Sequence, residues 1–259
     1  MVMVIDELKK EAVRDMLKLG KRTDGRSFEQ YREISIKTNV ISAAEGSADV
    51  TIGKSRVMAG VKLEVVEPFS DRPTEGTLTV NADLLPTAHE TFEEGPPSEE
   101  SIELARVVDR GIRAAEAVDL KSLFIEEGKV WGVFVDIYTL DHDGNLLDAA
   151  ALAATAALQS MKVPKYESEK IIREEMTPKK LLNIPTQCTF VKIGKDIILD
   201  PTYAEEIVAD ARITYCVGDG MLYAIQKAGP GAFSKEEIIS LLDKSFEQRK
   251  YLLSLLEKI

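Results

Sequence analysis

Cysteine is almost missing: Cys188 and Cys216 are the two in 259 residues, and no Cys-x-x-Cys spacing occurs. A disulfide framework and a cysteine zinc site are thereby excluded, and a reducing cytoplasm is the expected setting. Histidine is as scarce. His89-Glu90 lacks the second histidine of a zinc-protease helix, and His142, between Asp141 and Asp143, reads as a solvated turn residue. With no histidine near either cysteine in sequence, a nucleophilic thiol is not expected. No apolar run reaches the roughly 20 residues that span a bilayer, and Met1 to Gly20 is charged and amphipathic, without a signal-peptide cleavage pattern. Phosphate-loop and dinucleotide fingerprints are absent, and Asp141-x-Asp143-Gly144 brings its glycine too early for a calcium loop. No cofactor, bound metal or membrane partner is expected. Positive charge is also short, 33 Lys and Arg against 44 Asp and Glu, for a net charge of −11. Such a surface does not grip nucleic acid as a whole, although a local basic stripe is compatible with it.

What is present alternates between strand and helix patterns. Apolar residues at helical spacing (Ile5, Leu8, Ala12, Val13, Met16, Leu17) predict an amphipathic helix closed by Gly20. Strands are predicted over 33–39, 46–52, 56–66 and 77–83, with Gly53-Lys54 as a hairpin turn. After an acidic, proline-broken loop, Ser98 N-caps a helix predicted over 99–118. A central strand over 128–140 and an alanine-rich helix over 146–160 follow. Val163 to Pro185, with three prolines, reads as a polar connection. Four more strands (187–193, 196–199, 211–217, 221–227) precede a final helix over 234–258, opened by the capping box Ser234 and Glu237. The class is α+β, with two β-rich halves. The chain divides into an N-terminal helix and arm (1–30), a first domain (31–165), a connection (166–186) and a second domain (187–259).

Three groups of residues could carry chemistry. The acids Asp200, Glu205, Glu206 and Asp210 follow a strand end. Asp200 and Glu206 converge if 201–203 turns, and paired carboxylates hold Mg²⁺ or act as acid and base. The same acids equally suit the first turn of a solvated helix. Arg106, Arg110 and Arg113 share one helix face, a pattern suited to phosphates, but Glu103 and Asp109 stand close enough to turn it into a salt-bridge ladder. Finally, the start of the alanine-rich helix after the turn Asp141–Asn145 is an anion site by its free N–H groups and its dipole. Yet Leu147 and Asp148 stand at its mouth, so the site reads as built and then blanked.

Arg22-x-Asp24-Gly25-Arg26, Glu33, Gly46-Ser47-Ala48, Gly53-Lys54-Ser55-Arg56-Val57, Ser98…Ile102-Glu103-Leu104, Leu140…Asp143-Gly144 and the run Leu199–Glu206, in this order, resemble RNase PH-like phosphorolytic exoribonucleases over nearly the whole chain. The run Glu103–Arg110 is similar to the non-catalytic ring subunits of the archaeal exosome. The resemblance implies an RNase PH-like fold whose first half is ribosomal protein S5 domain 2-like. It implies that Leu147 stands where active members carry a phosphate-binding arginine, Asp148 where the next small polar residue falls, and Glu100 where a second arginine falls. Asp200 matches one catalytic aspartate and Glu206 stands for the other, as degenerate remnants. A silent subunit is implied, three copies alternating with three of a catalytic RNase PH-like partner in a hexameric ring that degrades single-stranded RNA from 3′ to 5′. Arg106, Arg110 and Arg113 would touch the RNA backbone, and S1/KH-type RNA-binding proteins would cap the ring. Two alternatives remain open: a metal-dependent hydrolytic exoribonuclease using Asp200, Glu206 and Asp210, and a scaffold that never touches RNA.

Overall fold

The computed structural model describes residues 2–259, with side chains from residue 10 onward. Helix α1 (Val2–Lys18) ends at Gly20, whose φ of +68° is the left-handed closure expected of a glycine after a helix. Val13 and Leu17 bury one face of α1 against Val191, Ile193, Ile198 and Val208. The side chains of Ile5 and Leu8 lie outside the described residues.

The first half is a sheet with strand order β1-β2-β3-β6-β4, formed by β1 (Ile34–Thr38), β2 (Gly46–Ile52), β3 (Ser55–Val66), β4 (Thr77–Leu84) and β6 (Lys129–Asp141). A short β5 (Phe124–Glu126) pairs back onto β6. All pairs are antiparallel except β4 with β6, which run parallel because the chain crosses over through α2 (Glu99–Ala114) between them. Ser98 caps α2 as its sequence position predicts, its hydroxyl accepting from the Ser101 N–H. The helix stops at Ala114 instead of continuing to Val118. Glu116 turns into positive φ (+47°), and the Ala117 N–H closes back on the Ile112 carbonyl.

Helix α3 (Leu146–Gln159) is buried along its length from Leu146 to Leu158. Its alanines allow close approach on two sides: to the first sheet at β2 and β3, and to β9 (Thr186–Ile193) of the second. At Gly46 the contact is so close that a β-carbon would sit 2.4 Å from the Ala157 carbonyl oxygen. The second sheet has order β10-β9-β11-β12, all antiparallel, from β9 (Thr186–Ile193), β10 (Asp196–Leu199), β11 (Ala211–Val217) and β12 (Leu222–Ala228). Helices α4 (Tyr203–Val208) and α5 (Lys235–Leu256) accompany it, the latter opened by the expected Ser234–Glu237 capping box. One hydrophobic core therefore runs through both halves, with α3 at its centre.

The segment read as a polar connection contains a hairpin, β7 (Lys162–Glu167) with β8 (Lys170–Pro178). Its two turn residues, Ser168 and Glu169, both adopt positive φ (51° and 60°), a conformation usually announced by Asn-Gly. Tyr166 packs edge-on to Trp131, and Arg173 reaches Glu45, so the hairpin is docked on the first half. Among the described residues no helix is long and apolar enough to cross a membrane.

Candidate functional site

Two of the sequence runs bind each other. Arg22 grips Glu205 with two hydrogen bonds (2.9 and 2.6 Å) and donates to the carbonyls of Leu199 and Asp200. Arg26 reaches Asp200 at 2.9 Å, and Arg32 takes both of its carboxylate oxygens at 2.9 and 2.8 Å. The Arg32 backbone N–H and Asn145 Nδ2 complete the shell. Burial by itself would raise the Asp200 pKa, but the hydrogen bonds and charge of Arg32 outweigh it and hold the group below the usual carboxylate value. Asp200 is fully buried and fully committed. It is a tether between the N-terminal arm and the second sheet. Asp210 lies past the end of α4, where its carboxylate accepts from the Gly194 N–H at 2.6 Å. The three acids of the hydrolytic alternative therefore do not face one reacting point. This tether was not legible: Arg32 and Asp200 are 168 positions apart, and nothing local marks Arg32 as a partner.

The mouth of α3 is built against α4. Gly144 (φ +91°) has no room for a side chain, since a β-carbon would fall 2.4 to 2.5 Å from backbone atoms of residues 201–203. The Tyr203 N–H donates to the Asp143 carbonyl at 3.0 Å, and the Ser55 hydroxyl donates to Gly144 O at 2.6 Å. The Asn145 N–H, at the helix start, donates to Glu206 Oε1 at 2.9 Å. A carboxylate thus sits at the helix N-terminus, and it comes from Glu206. Asp148, read from sequence as the acid at the mouth, turns inward instead. It is buried and accepts from the Tyr31 hydroxyl (2.8 Å), Asn145 Nδ2 (2.9 Å), the Thr189 N–H (3.0 Å) and the Thr189 hydroxyl (2.7 Å). The reason is helical phase: Leu147 takes the cleft side, so the next residue faces β9.

Leu147 lines a cleft with Glu100, Glu103, His142, Glu206 and Arg212. Arg212 is the one cation among these lining residues, and its guanidinium is occupied by Glu103 at 3.0 Å. Burial pushes the Glu206 pKa up to about 7, and the charge of Glu100 adds to that push against the Asn145 N–H and Arg212. Glu100 is raised by its own desolvation and by Glu103, although Arg212 opposes this. His142 is not the solvated turn residue expected. It is buried, stacked on Phe92 at 5.4 Å and edge-on to His89 and Tyr203, each at 5.1 Å. Burial first, then His89 and Arg32, bring its pKa down to about 4, so it is neutral at pH 7.

On α2 the ladder expected as the bland reading forms only in part. Asp109 pairs with Arg113 at 2.8 Å, and Arg113 also donates to the Leu78 carbonyl. Glu103 turns away to Arg212 and Gln226. Arg106 and Arg110 stay exposed, with no hydrogen bond or ion pair to any described residue.

The sequence matches the model of the 3′ exoribonuclease family (RNase PH), domain 1, over residues 30–164, and that of domain 2 over residues 183–248. The exosome complex component Rrp42 of Thermococcus gammatolerans is 48% identical, across 97% of this chain and 96% of that protein. Its counterpart in Methanothermobacter thermautotrophicus is 42% identical, across 98% and 96%. A chain of the Archaeoglobus fulgidus exosome with RNA bound to the active site superposes with a TM-score of 0.92 at 44% identity, covering 97% of this chain and 98% of that one.

Proposed function

Because the chain belongs to the 3′ exoribonuclease family of RNase PH proteins and has that two-domain α+β fold, we propose that it is a non-catalytic ring subunit of an archaeal exosome. One observation carries this reading. At the start of α3, where phosphorolysis needs cations around orthophosphate, this chain has the Glu206 carboxylate, the apolar wall of Leu147 and a second acid, Glu100. A phosphate there meets no free cation among the lining residues, Arg212 being held by Glu103, and the ionised fraction of Glu206 and Glu100 repels it.

In this role three copies alternate with three copies of a catalytic RNase PH-like partner around a channel. The ring degrades single-stranded RNA from its 3′ end, with S1/KH-type proteins as its caps. Arg106 and Arg110 are free to take RNA phosphates, because no acid among the described residues neutralises them. Arg113 contributes less, being held by Asp109. The acidic remainder of the surface keeps RNA to that face.

The purified chain, incubated with poly(A) with and without phosphate and Mg²⁺, is expected to release no nucleotide. Phosphate-dependent turnover that follows the chain through purification, and that Glu206→Gln abolishes, would overturn the reading.

A further inference from the structure

We propose that the open cavity at the C-terminal end of α2 receives a base of the same single-stranded RNA whose phosphates lie on Arg106 and Arg110. The inference rests on the RNA-contacting reading of those two arginines and adds a base contact further along the strand.

The cavity has a volume of about 510 Å³, within the range that holds small organic groups. Its buried side is aliphatic, from Leu78, Ile112 and Val118, and Leu182 stands exposed at its edge. Arg113, the third arginine of the α2 face, lines it too, so the cavity continues the stripe that Arg106 and Arg110 begin. From Arg106 to Arg113 the helix advances by about 10 Å, which a strand lying along α2 covers in a few nucleotides.

The walls are fixed in place. The Gly76 N–H donates to the Leu120 carbonyl, the Leu182 N–H to the Ala117 carbonyl and Asn183 Nδ2 to the Ala115 carbonyl, each at 2.8 Å. Gly76 has no room for a side chain, because a β-carbon would fall 2.7 Å from Leu123 Cβ and from the Trp131 carbonyl oxygen. A ligand therefore finds the space already formed.

The rim carries uncommitted charge of both signs. The side chains of Lys121, Glu75 and Glu116 make no hydrogen bond or ion pair to any described residue, and Arg72 has only its neighbour Asp71, at 3.7 Å. Asp119 is turned to the Ser122 N–H. A free anion would be attracted by one half of this rim and repelled by the other. A nucleotide uses both halves: its phosphate suits Arg72 and Lys121, and the amino group of its base suits a carboxylate. The turn that carries Arg72, closed by the Arg72 N–H on the Phe69 carbonyl at 2.9 Å, also presents Phe69. At 60% exposure Phe69 is the most exposed aromatic side chain among the described residues. Exposed aromatic rings and guanidinium planes are the surfaces on which unpaired bases stack.

The test is anisotropy titration of oligoadenylates of increasing length into the ring assembled with a catalytic RNase PH-like partner. Phe69 and Leu182 are exposed, so F69S/L182S removes apolar contact without changing charge or core packing. F69S/L182S is expected to bind long oligoadenylate at least about fivefold more weakly than wild type, to bind the shortest ones equally well, and to keep the salt dependence of wild type, since no phosphate contact is lost. R106E/R110E should weaken binding at every length, so its failure would sink the RNA reading itself. Unchanged affinity of F69S/L182S for long RNA, or a loss shared equally by the shortest, would overturn the cavity proposal alone. Failure of F69S/L182S to form the ring, read by native mass spectrometry, would also overturn it, because a protein surface would then be what covers the cavity.

Discussion

Asp148 and Asp200 carry the same side chain and are both withdrawn from water, yet their surroundings push them in opposite directions. Arginines around Asp200 favour its charge, whereas around Asp148 desolvation outweighs the hydrogen bonds from Asn145, Thr189 and Tyr31 and raises its pKa to about 6. The consequence for stability has a definite sign. Below about pH 3 an aspartate is protonated whether the chain is folded or not; from there to about pH 6 the unfolded chain releases the Asp148 proton while the folded chain keeps it. Stability contributed at this position therefore falls as pH rises, by about 3 kcal/mol in total by pH 7. Asp148→Asn has no such proton. In urea unfolding, the stability of wild type relative to Asp148→Asn should drop by about that amount between about pH 3 and pH 7. A difference independent of pH would mean that the hydrogen bonds keep this carboxylate ionised at its ordinary value.

At the scale of an element, α2 shows how one helix serves two surfaces. Its buried side, with Leu104, Val107, Val108 and Ile112, enters the core, and its outer side keeps Arg106 and Arg110 free. In the assembled ring, R106E/R110E should weaken single-stranded RNA binding and lower the salt dependence of log K by about 1 to 2, close to one for each lost phosphate contact. Arg113→Glu should have a smaller effect, because Asp109 already neutralises that side chain. Filter-binding or anisotropy titrations at several salt concentrations would measure both. Unchanged affinity and slope in R106E/R110E would favour a scaffold that does not touch RNA. The sequence placed these arginines on one face, since helical phase is a local property. Which acids would silence them was a tertiary matter: Glu103 was taken by Arg212, more than a hundred positions away.

At the scale of the whole molecule, the two halves share a core through α3, Arg22 and Arg26 bolt the N-terminal arm to the second half, and Arg32 bolts the first half to it. A body of this kind presents fixed surfaces to its neighbours. Native mass spectrometry of the chain mixed with a catalytic RNase PH-like partner should show a species containing three of each. Only separate monomers, at concentrations where related rings persist, would argue against the assembly.

Strands, helices and caps followed from local chemistry: alternation, helical spacing, Gly20 after α1, and Ser98 and Ser234 at helix starts. That Glu100, Leu147 and Asp148 bring no cation to the start of α3 was also readable, because it is a matter of residue type. The sequence could not tell which acid fills that site. Asp148 lay next to it along the chain, but helix phase turned it inward, and Glu206 arrived from about sixty residues away. His142 and the Ser168-Glu169 turn were misread for a related reason: burial and positive φ are imposed by packing and strand pairing, which residue type alone does not encode.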